Sequence, residues 1–483
     1  MAWGAGSSTL KSCSALLAKV ESGDPKLTDL VILPHPLKEF NPDDANRLAK
    51  ALLSNETCKL TGLHIPHDLS QSLDAVEAIG QSIVVVHHPS EQDGNTRLGL
   101  QDIDIGNRTF GDDGAASLSR GIERQRKKLT AENESSVVTT TTLEVLSLSE
   151  RGIGCVGMDA LGSALAPSQR LRRIDLSGNS GEDDDACPVE SFCSAALHSK
   201  SEVSSPFPLL SDLDLSNCSI CCRRGDPLEA VSKLLTVMHE DAKGHQVELT
   251  KKQMHLSLSG NPLFESLDEN QPSWSPLMKL VADGVITKLD LSKVSFGTCA
   301  MPFMENLALS LSQSTCRLES LNLSACRLDG TIIQVLAASI HNNRSLKELN
   351  LAGNNIGSDG ATALGVALGS DSSSEHGGTN TTLTTLDMSG TKSLALGASA
   401  LLKCSNLTSL RLFDNSLLDG FDQLIPLIKS NMSLLQLDLG GNNVLQNELV
   451  LLLDEIAASD SKLILLEIGG NKSGNAVIEA VDR

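Results

Sequence analysis

Gly152-Ile153-Gly154-Cys155-Val156-Gly157 is the stretch whose residue types come closest to a chemical device. Its glycines have the G-x-G-x-x-G spacing that lets backbone amides cradle a pyrophosphate at a helix start. A strand-like run (Leu143 to Leu148) precedes it and a helix-like run (Met158 to Leu165) follows. Asp175 stands 18 residues past the last glycine, near where a ribose-binding acid would fall. Yet Asn355 to Gly360, "NIGSDG", carries the same Ile-Gly-x-x-Gly pattern. Asp214, Asp290, Asp387 and Asp438 share the local setting of Asp175. Glycines and acid therefore read as parts of a repeating unit, and no cofactor is expected. Cys218 and Cys221 have zinc-type spacing, but the upstream Cys187 and Cys193 do not supply the usual second pair. These thiols are expected in turns and core. His64, His67, His87 and His88 read as surface or turn residues. The sequence holds no P-loop, nucleophile elbow, H-E-x-x-H or kinase set. No catalytic or metal-binding residue is expected.

The elements that would carry these residues repeat. "LKELNLAGN" begins at Leu346, "LRRIDLSGN" at Leu171, "LSDLDLSNC" at Leu210, "ITKLDLSKV" at Ile286 and "LESLNLSAC" at Leu318. "LTTLDMSGT" follows at Leu383, "LTSLRLFDN" at Leu407, "LLQLDLGGN" at Leu434 and "LILLEIGGN" at Leu463. Weaker copies start at Leu143 and Gln253, and the poorest at Leu100, Leu60 and Leu27. Places four and six lie two residues apart, so their leucines share one face of a short strand. Stacked units make a parallel sheet with a continuous leucine core. Asn at place nine can satisfy backbone groups where the chain leaves the strand; Cys218 and Cys326 take that place in two units. Leu318 to Leu346 spans 28 residues, Leu407 to Leu434 spans 27 and Leu434 to Leu463 spans 29. That leaves room for a helix after each strand. In "SDGATALGVAL" Ser358 or Asp359 is the expected N-cap, and Ala361, Leu364, Val366 and Leu368 the apolar face.

The array resembles the ribonuclease-inhibitor-like leucine-rich repeat family. The resemblance implies an α/β solenoid, a horseshoe with parallel strands on the concave side and helices on the convex side. It covers residues 98–483, with 1–97 as an N-terminal cap and degenerate repeats. Longer repeats mark insertions near 124–142, 181–208 and 371–382, expected to emerge as loops.

Place five points away from the leucine core. Down the array it reads Ser147, Asp175, Asp214, Ser257, Asp290, Asn322, Asn350, Asp387, Arg411, Asp438 and Glu467. Place seven is mostly Ser, Gly or Ala. Two accounts of this acidic ladder stay open: a trough for a basic segment, or solubility of the sheet face. The formal net charge of -21 excludes a general nucleic-acid or anionic-membrane surface and favours a basic protein partner. Aromatics are 2% of residues with no Tyr, so a binding face is expected to work by polar and electrostatic matching. The 12 scattered cysteines fit reduced thiols in the cytoplasm, or alternatively the nucleus. No apolar run suffices to span a membrane. The sequons at Asn107, Asn343 and Asn431 are expected to carry nothing.

The first functional expectation is a non-enzymatic protein-interaction scaffold. A second comes from the resemblance, since Ran-type GTPase-activating proteins use this fold; their acidic C-terminal tail is missing from "AVIEAVDR". A third is a cytoskeletal or axonemal structural repeat protein. Partner identity and oligomeric state are not written in these residues.

Overall fold

The computed structural model describes residues 13–35, 40–55, 58–86, 99–132, 139–180, 187–199, 205–220, 227–244, 253–264, 274–369 and 380–481. The chain forms two compact units, residues 1–220 with 224–252, and residues 221–223 with 253–483. Both are α/β leucine-rich-repeat solenoids.

The first unit carries strands β1 (Asp29–Val31), β2 (Gly62–Ile65), β3 (Val84–Val86), β4 (Asp102–Ile105), β5 (Thr139–Thr141), β6 (Val145–Ser147), β7 (Arg173–Asp175) and β8 (Asp212–Asp214). Strands β1, β2, β4, β6, β7 and β8 run parallel in that spatial order, while β3 pairs antiparallel with β5. Its helices are α1 (Cys13–Glu21), α2 (Pro42–Ser54), α3 (Leu73–Ser82), α4 (Gly111–Glu132), α5 (Cys155–Leu165), α6 (Pro188–His198) and α7 (Pro227–Gly244). The poorly matching repeats at Leu27, Leu60 and Leu100 thus still supply sheet strands.

The second unit alternates more regularly. Strands β9 (Met254–Ser257), β10 (Ile286–Asp290), β11 (Ser320–Asn322), β12 (Glu348–Asn350), β13 (Thr385–Asp387), β14 (Ser409–Arg411), β15 (Gln436–Asp438) and β16 (Leu465–Glu467) pair in parallel in chain order. Helices α8 (Ser275–Ala282), α9 (Ala300–Leu311), α10 (Gly330–Asn342), α11 (Gly357–Ala367), α12 (Leu394–Leu402), α13 (Phe421–Ser430), α14 (Gln446–Ala457) and α15 (Asn475–Val481) follow successive strands.

The leucine register is as the repeat dictates. Leu349 pairs with Leu321 and Leu386, and all three are buried. Place-six residues such as Leu323, Leu351 and Met388 have no exposed surface. Each strand is three to five residues long, so neither strand nor helix is stable alone and stacking supplies the stability.

Small residues in the helices have a packing role. They bring helix onto helix. A methyl group added at Gly121 in α4 would sit 2.0 Å from the carbonyl oxygen of Glu77 in α3. One added at Gly80 in α3 would sit 2.3 Å from that of Leu118 in α4. Helix α11 also departs from expectation: it opens at Gly357, so Ser358 and Asp359 lie in its first turn and neither caps it. Val366 is 51% exposed, and Gly365 and Ala367 face inward instead.

Within the lengthened repeats, the described residues include ordered elements. Arg124–Glu132 are the last turns of α4, where Arg124 pairs with Glu77. Pro188–His198 is α6, whose Phe192 stacks on Phe207 at 5.9 Å. Residues 371–379 lie outside the described residues.

Candidate functional site

The Gly152–Gly157 stretch builds the entry to α5, and its anion position is already filled. The amides of Gly154 and Gly157 both donate to Asp112 Oδ1 from α4, at 2.7 and 2.9 Å. A helix start attracts negative charge, and here a carboxylate from the preceding repeat supplies it. Gly152 has φ +68°, and a Cβ there would meet the Arg108 carbonyl oxygen at 2.7 Å. The glycines serve repeat stacking. Asp112→Ala is expected to destabilise the first unit by about 1–2 kcal/mol, the usual worth of a lost cap. Urea unfolding would read it, and an unchanged midpoint would count against the capping role.

The cysteine and histidine candidates are similarly absorbed. Cys218 Sγ donates to the Leu176 carbonyl at 3.2 Å, and burial pushes its thiol up to about 12. Cys221 and Cys222 lie outside the described residues, as do His87 and His88. His67 is buried, with Nε2 3.1 Å from the Ile32 carbonyl oxygen. His64 is half-buried with Nε2 3.7 Å from Asp102. Burial raises the Asp102 carboxyl above its ordinary value, opposed by His64 and reinforced by Asp104 and Asp29. Among the described residues no group of three or more His, Cys, Asp or Glu is placed to hold a metal ion. The sequons at 343 and 431 are structural: both asparagines are buried, and Asn343 holds the Leu311 carbonyl and the Leu346 amide.

Place nine performs one task with several residue types. Asn179 Nδ2 donates to the carbonyls of Leu148 and Leu176, both at 2.8 Å, while its Oδ1 accepts from Arg151 and Ile153. Asn354, Asn415 and Asn442 likewise donate to place-six carbonyls of the preceding repeat. Cys218 and Cys326 keep that donation, from sulfur, with the Ser216 and Ser324 carbonyls at longer range. Arg151 keeps it from Nε, to Ile105, and reaches Asp104 Oδ1 at 2.5 Å with Nη2. In these repeats the task is a buried donor for an orphan carbonyl, which Asn, Cys and Arg can each supply; Val294 holds the place in the repeat at Ile286 with an apolar side chain.

The place-five residues form two in-register rows, one per unit. In the first unit Ser147 pairs with Asp175 and Asp175 with Asp214. The row extends back to Asp104 and His64, which the weak repeats at Leu100 and Leu60 concealed. In the second unit Ser257, Asp290, Asn322, Asn350, Asp387, Arg411, Asp438 and Glu467 occupy successive strands. Most are half-buried; Arg411 and Glu467 are exposed.

These side chains also have a local duty. Asp175 Oδ1 accepts from the Ser177 amide at 3.0 Å, and Asp214 from Ser216 at 3.0 Å. The same contact joins Asp290 to Ser292, Asn322 to Ser324, Asn350 to Ala352, Asp387 to Ser389 and Asp438 to Gly440. Place five thus satisfies the place-seven N–H where the strand ends. Arg411 has no oxygen to offer, and its Nη1 lies 3.5 Å from Asp387 Oδ2.

Residues 342–365 match the family model described as Leucine Rich repeat. The mouse (Mus musculus) NACHT, LRR and PYD domains-containing protein 14 is 29% identical over 221 residues, 39% of this chain and 21% of that protein. The mouse NACHT, LRR and PYD domains-containing protein 12 is 29% identical over 190 residues, 39% of this chain and 15% of that protein. The aligned part is therefore a minor share of either relative's length. An internalin from Listeria monocytogenes superposes with a TM-score of 0.39 at 17% identity, covering 75% of this chain and 84% of that one. The repeat model and the mouse relatives support a leucine-rich repeat family, in line with the solenoid fold of both units. Proteins of this fold are typically interaction modules. No helix among the described residues is long and apolar enough to cross a membrane.

Proposed function

We propose that this chain is a non-enzymatic protein-interaction scaffold of the ribonuclease-inhibitor-like kind, whose concave sheet faces take a protein partner with a basic surface. The single observation that carries the proposal is the identity of the place-five residues set against their local duty. The strand-end cap needs only one side-chain oxygen, and Asn322 and Asn350 supply it without charge. Asp175, Asp214, Asp290, Asp387 and Asp438 carry a charge the cap does not use. Neighbouring strands are about 4.8 Å apart, so the like charges that fall in register, Asp175 with Asp214 and Asp438 with Glu467, repel at some cost to the fold. A basic partner turns that cost into attraction that steers its approach. The buried thiols of Cys218 and Cys326 act as hydrogen-bond donors, which fits a reducing compartment, the cytoplasm or alternatively the nucleus.

The test replaces all five aspartates by asparagine in the full chain. Asn keeps each cap, so the urea midpoint should stay within about 1 kcal/mol of wild type. A pull-down from native extract at low and moderate salt should then lose the basic proteins that wild type retains. Equal retention by both chains would sink the acidic-face reading. Lysine at these places would confuse the result by breaking the caps as well.

A further inference from the structure

The sequence holds nine phenylalanines. Phe40, Phe110, Phe192, Phe207, Phe264, Phe296, Phe303 and Phe421 are buried, and Phe413 alone of the nine stands 46% exposed. It occupies place seven, where the other repeats of its unit have Ser259, Ser292, Ser324, Ala352, Ser389, Gly440 and Gly469. Its ring lies over the neighbouring strand end: a Cβ on Gly441 would meet Phe413 Cζ at 3.0 Å. A Cβ on Gly440 would lie 2.9 Å from Phe413 Cδ2 and 3.2 Å from Asp438 Oδ1. Ring and carboxylate therefore converge on one small residue. Arg411, the cation of the place-five row, is on the same strand end and engages Asp387 on its other side. Ser fills this place in four other repeats of the unit, so the repeat itself does not call for an aromatic here.

From this convergence we infer that Phe413 anchors a protein-docking site on the sheet face of the second unit, and that the site takes a segment presenting a Lys or Arg side chain beside an apolar one. The inference deepens the interaction reading above and rests on it. Charge complementarity chooses the occupant. Arg411 is engaged by Asp387, and the next two strands bring two carboxylates into register at this end of the row, Asp438 and Glu467. A cation is held within about 6 Å of a ring centroid, so one ammonium or guanidinium can reach both the Phe413 face and the Asp438 carboxylate. The apolar neighbour then covers the rest of the ring, and water leaves the contact. Aromatic side chains enclosed in this way dominate many interfaces.

The probe is a phage-displayed library of random dodecapeptides, selected on the immobilised full chain at physiological salt. Selected peptides are expected to pair a basic with an apolar residue. They should bind Phe413→Ser at least about tenfold more weakly, the usual effect of losing an aromatic anchor, and retain affinity for Phe413→Trp. Because Ser is the place-seven residue in four other repeats of this unit, Phe413→Ser should keep the fold, read as a single cooperative urea transition. Equal binding to wild type and Phe413→Ser overturns the anchor, as does enrichment of acidic sequences or failure to select any binder. Peptides that ignore Phe413→Ser but are lost on the five-aspartate variant sink the anchor and leave the acidic-face reading standing. Peptides kept on both variants sink the two together.

Discussion

Asn354→Ala is expected to lower the stability of the second unit by about 4 kcal/mol. The side chain is buried and makes four hydrogen bonds to main chain. Nδ2 donates to Leu323 and Leu351 at 2.8 Å each, and Oδ1 accepts from Cys326 and Leu328 at 3.0 Å each. Alanine leaves two carbonyls and two amides without their side-chain partner. A buried unsatisfied group costs about 1–3 kcal/mol, and partial relaxation keeps the total below the sum. The chain itself supplies the control. Cys218 and Cys326 hold place nine with one donation from sulfur to the preceding repeat. Asn354→Cys should therefore lose roughly half as much as Asn354→Ala. Asn354→Asp keeps the acceptor but sets a carboxylate against two carbonyl oxygens, and should be worse than Cys. Urea unfolding, with hydrogen exchange at β11 and β12, gives the order. Equal losses for Ala and Cys would refute the donor account.

Gly121→Ala reverses the sign that helix propensity predicts. In an isolated helix the change is worth about 1 kcal/mol in favour of Ala. In this fold the new methyl would lie 2.0 Å from the Glu77 carbonyl oxygen and 2.9 Å from its carbon. Both are backbone atoms of α3, so no flexible side chain can swing aside. The helices must separate, and overpacking of this kind costs about 1–3 kcal/mol beyond the propensity gain. A net loss of about 2 kcal/mol is expected, with faster hydrogen exchange along α3 and α4. Gly80→Ala opens the same interface from the other side, where its Cβ would meet the Leu118 carbonyl oxygen at 2.3 Å. The double variant should then lose less than the sum of the singles, because one separation relieves both clashes. A stabilised Gly121→Ala, or full additivity, would show that the two helices do not touch as described.

The repeat was legible because its rule is local. Leucines two residues apart must share a strand face, and a helix-length remainder must return the chain to the next strand. The register of the place-five row follows from the same spacing, which alone sets the residues from Asp290 to Glu467 in order. Helix entry was less legible. Ser358 and Asp359 have cap chemistry, yet Gly357 at φ +70° starts α11 before either.

What the sequence could not give depends on which atoms of different repeats meet. The G-x-G-x-x-G match at Gly152 is real, but only the approach of α4 puts the Asp112 carboxylate onto the amides a phosphate would need. Gly80 and Gly121 let α3 and α4 approach closely, but residue size fixes how near a neighbour can come and not which neighbour it is. Composition also pointed to a purely polar binding face, for aromatics are scarce. Scarcity is an average over the chain, whereas exposure belongs to one position. Only the stacked sheet shows that Phe413 stands out on the Gly440–Gly441 strand end while the other phenylalanines lie in the core.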